Sequence, residues 1–436
     1  MSPDGLRVGS RHVLTKHLPP RLLPIIYFAL AHIALALAFA AIAFDPRGVA
    51  GFFYHSRMLA IVHLVTLGWI TACILGALYI VGPIALRARF SAGWPDYTAA
   101  ALVWIGVIGM VAHFWIQEYG GMAWSGATVG TGILIVGLRI AGPLWRAPIP
   151  AAVRAHVLLA FLNVLGAAVM GVLLGINKVH PFMTGFVLDN VFAHAHLAAV
   201  GWAVMMVVGV GYRLLPMVLP SEMPAGRRLW ISALLLQCGT WGLFVSLLLG
   251  ARTGWIFAAM IVAGVAAFLA QVIWMVRHPR SAPPELAWPD PAVLHATAAI
   301  ASLAIACVLG VWLSFAPMSE RSPQIAVAYG ALGLVGFLCQ MVVAIEGRLL
   351  PLFSWYWASA NRLGPGPVPS PHAMPWRGGR ELTFGLWIFG VPTLVGGLAS
   401  AGVPFVCAGA LALLAATLLN GAQAFIILRH AYPRRT

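Results

Sequence analysis

Twelve apolar runs, most close to the roughly 20 residues that carry a helix across about 30 Å of hydrocarbon, constrain this chain more than any other feature. Bounded by charge, Pro or Gly, they fall at about 23–44, 57–85, 98–117, 123–145, 152–176, 189–217, 229–250, 254–276, 291–315, 324–351, 382–400 and 403–428. In lipid the backbone must satisfy its own hydrogen bonds, so each run is expected to be helical. The expected fold is therefore an all-α polytopic membrane protein of twelve transmembrane helices, with a basic N-terminus over 1–22 and a single membrane domain over 23–430. Composition agrees: 61% of the 436 residues are apolar, 8% are charged, and mean hydropathy is +0.92. These values exclude a soluble globular domain and a disordered chain.

The five cysteines, Cys73, Cys238, Cys307, Cys339 and Cys407, fall singly in apolar stretches without CxxC spacing. Neither a disulfide framework nor a zinc knuckle is indicated. Residues 1–21 are basic, but the run after them is a full span with no small-residue cleavage site, and it reads as a retained first helix.

The formal charge of +15 would suggest a nucleic-acid partner on a soluble protein. Position explains it instead. With the N-terminus inside, only Arg47, Arg57, Lys178, Arg252 and Arg321 fall outside, and the other 21 of the 26 Lys+Arg fall inside. That asymmetry is what the positive-inside rule expects, so both termini are expected to be cytoplasmic, in a bacterial inner membrane. The partner implied is the lipid bilayer, with no nucleic acid. The longest connection, 352–381, is rich in Pro, Gly and Trp and reads as a cytoplasmic loop.

Helices two, six and ten share a pattern that hydropathy does not require. His63-Leu-Val-Thr-Leu-Gly68-Trp69 is matched by His196-Leu-Ala-Ala-Val-Gly201-Trp202 and by Ala331-Leu-Gly-Leu-Val-Gly336-Phe337, and a proline follows fifteen residues after each glycine, at Pro83, Pro216 and Pro351. Equal spacing four helices apart argues for three four-helix units, about 23–146, 147–280 and 281–430. The first helix of each unit also carries a histidine, His32, His156 and His295. At the shared position the copies hold His63, His196 and Ala331, and two residues earlier Ile61, His194 and Tyr329.

His63 and His196 are expected about 10 Å below the outer surface, at 1.5 Å per residue. Ionisable groups at that depth usually face the bundle interior and mark ligand or ion pathways. His55 lies two turns before His63 on the same face; His55 and His180 sit at the outer surface, where they could line an entrance or meet a haem propionate although plain exposure is the favoured reading, and Arg57 is a further candidate for cofactor binding. His194 and His196 are about 200° apart on a helix and cannot point the same way. Neutral imidazole binds a metal or haem iron through one nitrogen while the other donates to a carbonyl, carboxylate or water. The candidate metal ligands are thus His63, His194 and His196. His32, His113, His156 and His295 read instead as hydrogen-bonded to neighbouring helices. Glu346, Arg348 and Tyr212 are candidates for a proton path, although a purely structural role for Glu346 is the favoured one.

Three four-helix units with histidines near the outer ends of helices two and six resemble the catalytic subunit of the haem-copper oxidase and nitric oxide reductase superfamily. The resemblance covers nearly the whole chain and rests on the phrases at 63–69, 194–202 and 212–216. It implies that His63 holds a low-spin haem and that His194 or His196 holds a second metal. The family's histidine pair on helix seven is absent, and its helix-ten haem ligands are replaced by Tyr329 and Ala331, so no complete oxidase centre is implied. A weaker resemblance, resting on the same histidines, is to the NnrS family of haem- and copper-containing proteins of the nitric oxide response, although Tyr54-His55-Ser-Arg-Met58 departs from that family's helix-two phrase. The expectation is a haem- or copper-binding membrane protein in respiratory electron transfer or nitric oxide binding, served by a respiratory electron donor or another membrane subunit. The alternatives are a proton- or metal-ion-coupled transporter and a non-catalytic scaffold of the same fold.

Overall fold

The computed structural model describes residues 18–88, 91–286, 289–315, 319, 321–360 and 370–432. Most of the basic N-terminus, with His12 and His17, lies outside the described residues, as do Arg89, Arg362, Arg434 and Arg435. Twelve helices are long and apolar enough to span a membrane: α1 (Leu22–Phe44), α2 (Ser56–Ile84), α3 (Trp94–Ile116), α4 (Tyr119–Trp145), α5 (Ala151–Val179), α6 (Val187–Val218), α7 (Leu229–Leu248), α8 (Gly254–Arg277), α9 (Pro291–Phe315), α10 (Ser322–Ala360), α11 (Arg377–Ala399) and α12 (Val403–Ala431). Large apolar side chains such as Ile105, Ile108, Leu138, Val308 and Phe425 point outward and are exposed. In water such a belt would aggregate, whereas in lipid it costs nothing. The protein is an all-α, multi-pass membrane protein.

The last helix of each four-helix unit packs on the first helix of the next: α4 on α5, α8 on α9, and α12 back on α1. The ring closes, and α2, α6 and α10 meet inside it. Each inner helix widens into an eight-residue π-helical segment, Leu64–Thr71, Leu197–Val204 and Leu332–Cys339. These segments begin one residue after His63, His196 and Ala331 and contact one another. π-Helical hydrogen bonding is rare and concentrates at functional sites, so three segments at one register make the threefold repeat structural as well as sequential.

Packing explains the conserved spacing of the glycines. Gly68, Gly201 and Gly336 are the fifth residues of their π segments, and each faces the first helix of its own unit. An added Cβ would lie 2.7 Å from Ala34, 2.9 Å from Asn163 and 2.9 Å from Ser302 Oγ respectively. Trp69, Trp202 and Phe337 follow and are buried, and Trp202 Nε1 donates to Thr71 Oγ1 at 3.0 Å, joining the first two units at the centre.

This register corrects one expectation. His156 and His295 stand seven residues before Asn163 and Ser302, but the residue seven before Ala34 is Tyr27, which faces Gly76 as His156 faces Gly209. His32 occupies a different place. A second correction concerns 352–381: α10 continues to Ala360 and α11 begins at Arg377. Pro351 costs one backbone bond, which a packed membrane helix tolerates, as α2 and α6 do at Pro83 and Pro216. The aromatic stretch after it extends the helix, and residues 361–369 of that connection lie outside the described set.

Candidate functional site

The π segments set where the interior histidines point. His63 closes the α-helical first part of α2. Its Nδ1 lies 2.7 Å from Leu59 O, and its ring packs on Phe114 of α3 at 5.1 Å. His194 turns to α5, where its Nδ1 lies 3.0 Å from Ala167 O. Gly171 makes room for that ring, since a Cβ there would come 3.1 Å from His194 Cε1. His196 points the other way, towards α10: its Nδ1 lies 2.8 Å from Phe192 O, its Nε2 lies 3.3 Å from the Tyr329 hydroxyl, and the two rings stack 6.2 Å apart.

Protonation follows from these partners. A carbonyl oxygen only accepts, so Nδ1 of each ring carries the proton and the neutral tautomer leaves a lone pair on Nε2. For His196 that lone pair receives the Tyr329 O–H. For His63 and His194 no described residue hydrogen-bonds Nε2. Two imidazoles, each oriented by a backbone carbonyl and each with an unused lone pair, form the donor set typical of metal and haem ligation.

The structure therefore divides the three expected ligands. His196 meets Tyr329 on α10, His63 meets Phe114 on α3, and His194 meets α5. Among the described residues no group of three His, Cys, Asp or Glu side chains converges on a metal-sized site. The cause is the rotation between His194 and His196 noted from the sequence, together with the tyrosine that meets His196.

His55 and Arg57 are occupied at the outer corner. His55 Nδ1 caps α2 by accepting from Met58 N at 3.4 Å, and its Nε2 lies 3.3 Å from Gly48 O. Arg57 pairs with Asp45 at 3.3 Å and lies over Trp115. Both side chains fix the connection between α1 and α2 rather than facing His63.

The remaining interior histidines have the ordinary partners expected of them. His32 contacts Phe28 O and Asn420, His113 contacts Ser125, His156 contacts Ala152 O and Ser232, and His295 contacts Gln340. Glu346, Arg348 and Tyr212 do not form one path. Glu346 accepts from Asn420 at 2.8 Å and lies 3.7 Å from His32, Arg348 pairs with Asp290, and Tyr212 shares Ser232 with His156. Residues two apart on a helix diverge by about 200°, which sends Glu346 and Arg348 to different neighbours.

Three polar networks escaped sequence reasoning. Asn163 bonds Gly201 O, Gln237 and Trp241; Asp96 bonds Tyr79 and Arg139; and Asp290 gathers Arg348 and Arg380. The available signal was scarcity, because in a chain with 11 Asp+Glu each acid close to a span needs a partner. Compared with family models and with curated proteins, the chain matches none.

Proposed function

We propose that this protein binds haem or copper between α2 and α6 through His63 and His194, in the cytoplasmic membrane of a bacterium, and serves respiratory electron transfer or nitric oxide binding. The observation that carries the reading is two imidazoles, one on α2 and one on α6, whose Nδ1 atoms lie at Leu59 O and Ala167 O and whose Nε2 atoms hydrogen-bond no described residue. The donor chemistry fits either group. A bound haem iron or copper supplies a one-electron couple or an open position for a small gas.

This chain's own residues do the rest. The two carbonyls fix tautomer and ring plane, which raises ligand basicity. Phe114 and Gly171 shape the space around the rings. Tyr329 holds His196 aside, so it acts on the site from the neighbouring helix.

The test is iron and copper content of the chain purified in mild detergent. Wild type and His196→Ala are expected to retain metal, and His63→Ala and His194→Ala to lose most of it. A metal-free wild type, or retention in both single variants, refutes the reading.

A second reading, ion-coupled transport, draws on a different feature. A narrow cleft lies between α2, α6 and α10, lined almost wholly by apolar residues, with Glu346 the one carboxylic acid among them. Proton flux in vesicles that depends on Glu346 and is indifferent to His63→Ala would favour it.

A further inference from the structure

Where α9 and α11 begin, the described residues line a polar cleft of about 400 Å³. Three chain segments far apart in sequence bring charge to it: Asp290 from the approach to α9, Arg348 from α10 and Arg380 from α11. The Asp290 carboxylate and the Arg348 guanidinium are in contact and 2% and 5% exposed, and Arg380 stands 3.7 Å from the other carboxylate oxygen with 15% exposure.

Hydrogen-bond capacity there is out of balance. Two guanidinium groups offer ten N–H donors. Asp290 supplies the one buried carboxylate, and it also accepts from Ala292 N at 3.1 Å, capping α9. Arg348 Nε is buried and has no hydrogen-bond partner among the described residues. Arg380 makes no hydrogen bond to a described residue beyond its ion pair with Asp290. Among the other acids nearby, Glu285 is exposed at the rim and Glu381 is taken by Arg377 at 2.8 Å.

Two further features point the same way. Gly347 seats Arg380 against α10, because a Cβ there would come 2.8 Å from Arg380 Nη2. The N-terminus of α11 is not capped by the Trp376 side chain and has no acid in its first turn, so its N–H groups and positive dipole end lie at the same cleft.

We infer that this cleft binds a phosphate group, taken either from free phosphate or from the headgroup of an anionic lipid, held by Arg348, Arg380 and the first turn of α11. Planar guanidinium groups match phosphate oxygens bidentately, and basic pockets between membrane helices are where such headgroups dock. The acceptors that Asp290 cannot supply come from the phosphate oxygens.

The test uses the full chain in uncharged detergent, stripped of lipid, with thermal unfolding as the readout. The probes are inorganic phosphate against matched chloride, and mixed micelles of phosphatidylglycerol against phosphatidylcholine. A saturable rise in Tm with phosphate, needing about tenfold more ligand in Arg380→Gln but not in the exposed control Arg227→Gln, upholds the site with a free oxyanion. A rise with phosphatidylglycerol alone, lost in Arg380→Gln, upholds it with a lipid headgroup. Should Arg380→Gln fail to fold, Gly347→Ala and Arg380→Lys carry the comparison, since the first displaces the guanidinium and the second removes its fork while both keep the charge. No rise beyond the chloride and phosphatidylcholine controls, or equal rises in all variants, overturns the inference.

Discussion

Replacing Asn163 with Leu tests whether the π segment of α6 is held in place by side-chain hydrogen bonds. The amide is fully buried and makes four of them: Nδ2 to Gly201 O at 2.8 Å and to Gln237 Oε1 at 2.9 Å, while Oδ1 accepts from Gln237 Nε2 at 3.1 Å and from Trp241 Nε1 at 2.8 Å. Interhelical hydrogen bonds in membrane proteins average roughly 0.6 kcal/mol, well below values expected in a dry soluble core. Four of them give about 2–3 kcal/mol, and Leu keeps the volume, so little cavity cost is added. The repeat supplies its own control. Ser302 faces Gly336 at the same position of the third unit, and its Oγ bonds only Ala298 O in its own helix, so Ser302→Ala should cost under about 0.6 kcal/mol. Both values are measured by unfolding in mixed micelles with rising dodecyl sulfate. A loss for Asn163→Leu no greater than for Ser302→Ala would refute the argument that this network anchors the π segment.

Other consequences follow from the same geometry. Asp290→Asn leaves two buried guanidinium groups short of a counter-charge and should cost about 3–5 kcal/mol, while Asp290→Leu combined with Arg348→Met should recover most of it; the same unfolding assay reads both. His372 sits at the phosphate cleft, where burial first and then Arg348 and Arg380 hold its imidazole below the ordinary value, opposed by Glu285. The stability linked to it is present above about pH 6.5, the unfolded value, and is lost as pH falls through the lowered folded value. A bound anion offsets the arginines and favours the protonated ring, so sulfate should bind more tightly as pH falls from 7 to 5, and His372→Gln should flatten that dependence in a Tm titration. Tyr329→Phe frees the His196 lone pair without touching His63 or His194, so it should leave metal content unchanged by elemental analysis; a gain of metal that His196→Ala abolishes would place His196 among the ligands.

The spans were legible because the bilayer imposes one strong demand, and the twelve apolar runs match the twelve helices to within a few residues at most ends. The inner helices were legible from Gly68, Gly201 and Gly336, since each glycine sits where another helix presses against the π segment. The π segments themselves left no mark in composition, because an extra residue per turn is set by packing and not by residue type. That is why the partners of His63, His194 and His196 were beyond the sequence. Rotation by the widened turn decides which neighbour each ring meets, and Tyr329 lies 133 residues from His196. Tyr27 shows the reverse failure: a histidine in each first helix looked like a repeat, but the packing register gives the first copy a tyrosine. Asp290 falls at a span boundary, where solvation is the default reading, and its partner Arg348 is 58 residues away.

The central claim is that His63 and His194 together hold a redox-active group. It is tested most directly by the visible spectrum of the purified chain, oxidised and dithionite-reduced, before and after nitric oxide is added. A Soret band present in wild type and His196→Ala, and lost in both His63→Ala and His194→Ala, is the predicted result for haem. A band indifferent to nitric oxide would mark ligation on both sides by histidine, and a shift would mark an open position. A copper signal by electron paramagnetic resonance with the same dependence on the two histidines would be the counterpart for copper. A wild-type protein with neither signal, or signals that survive both substitutions, would contradict the account.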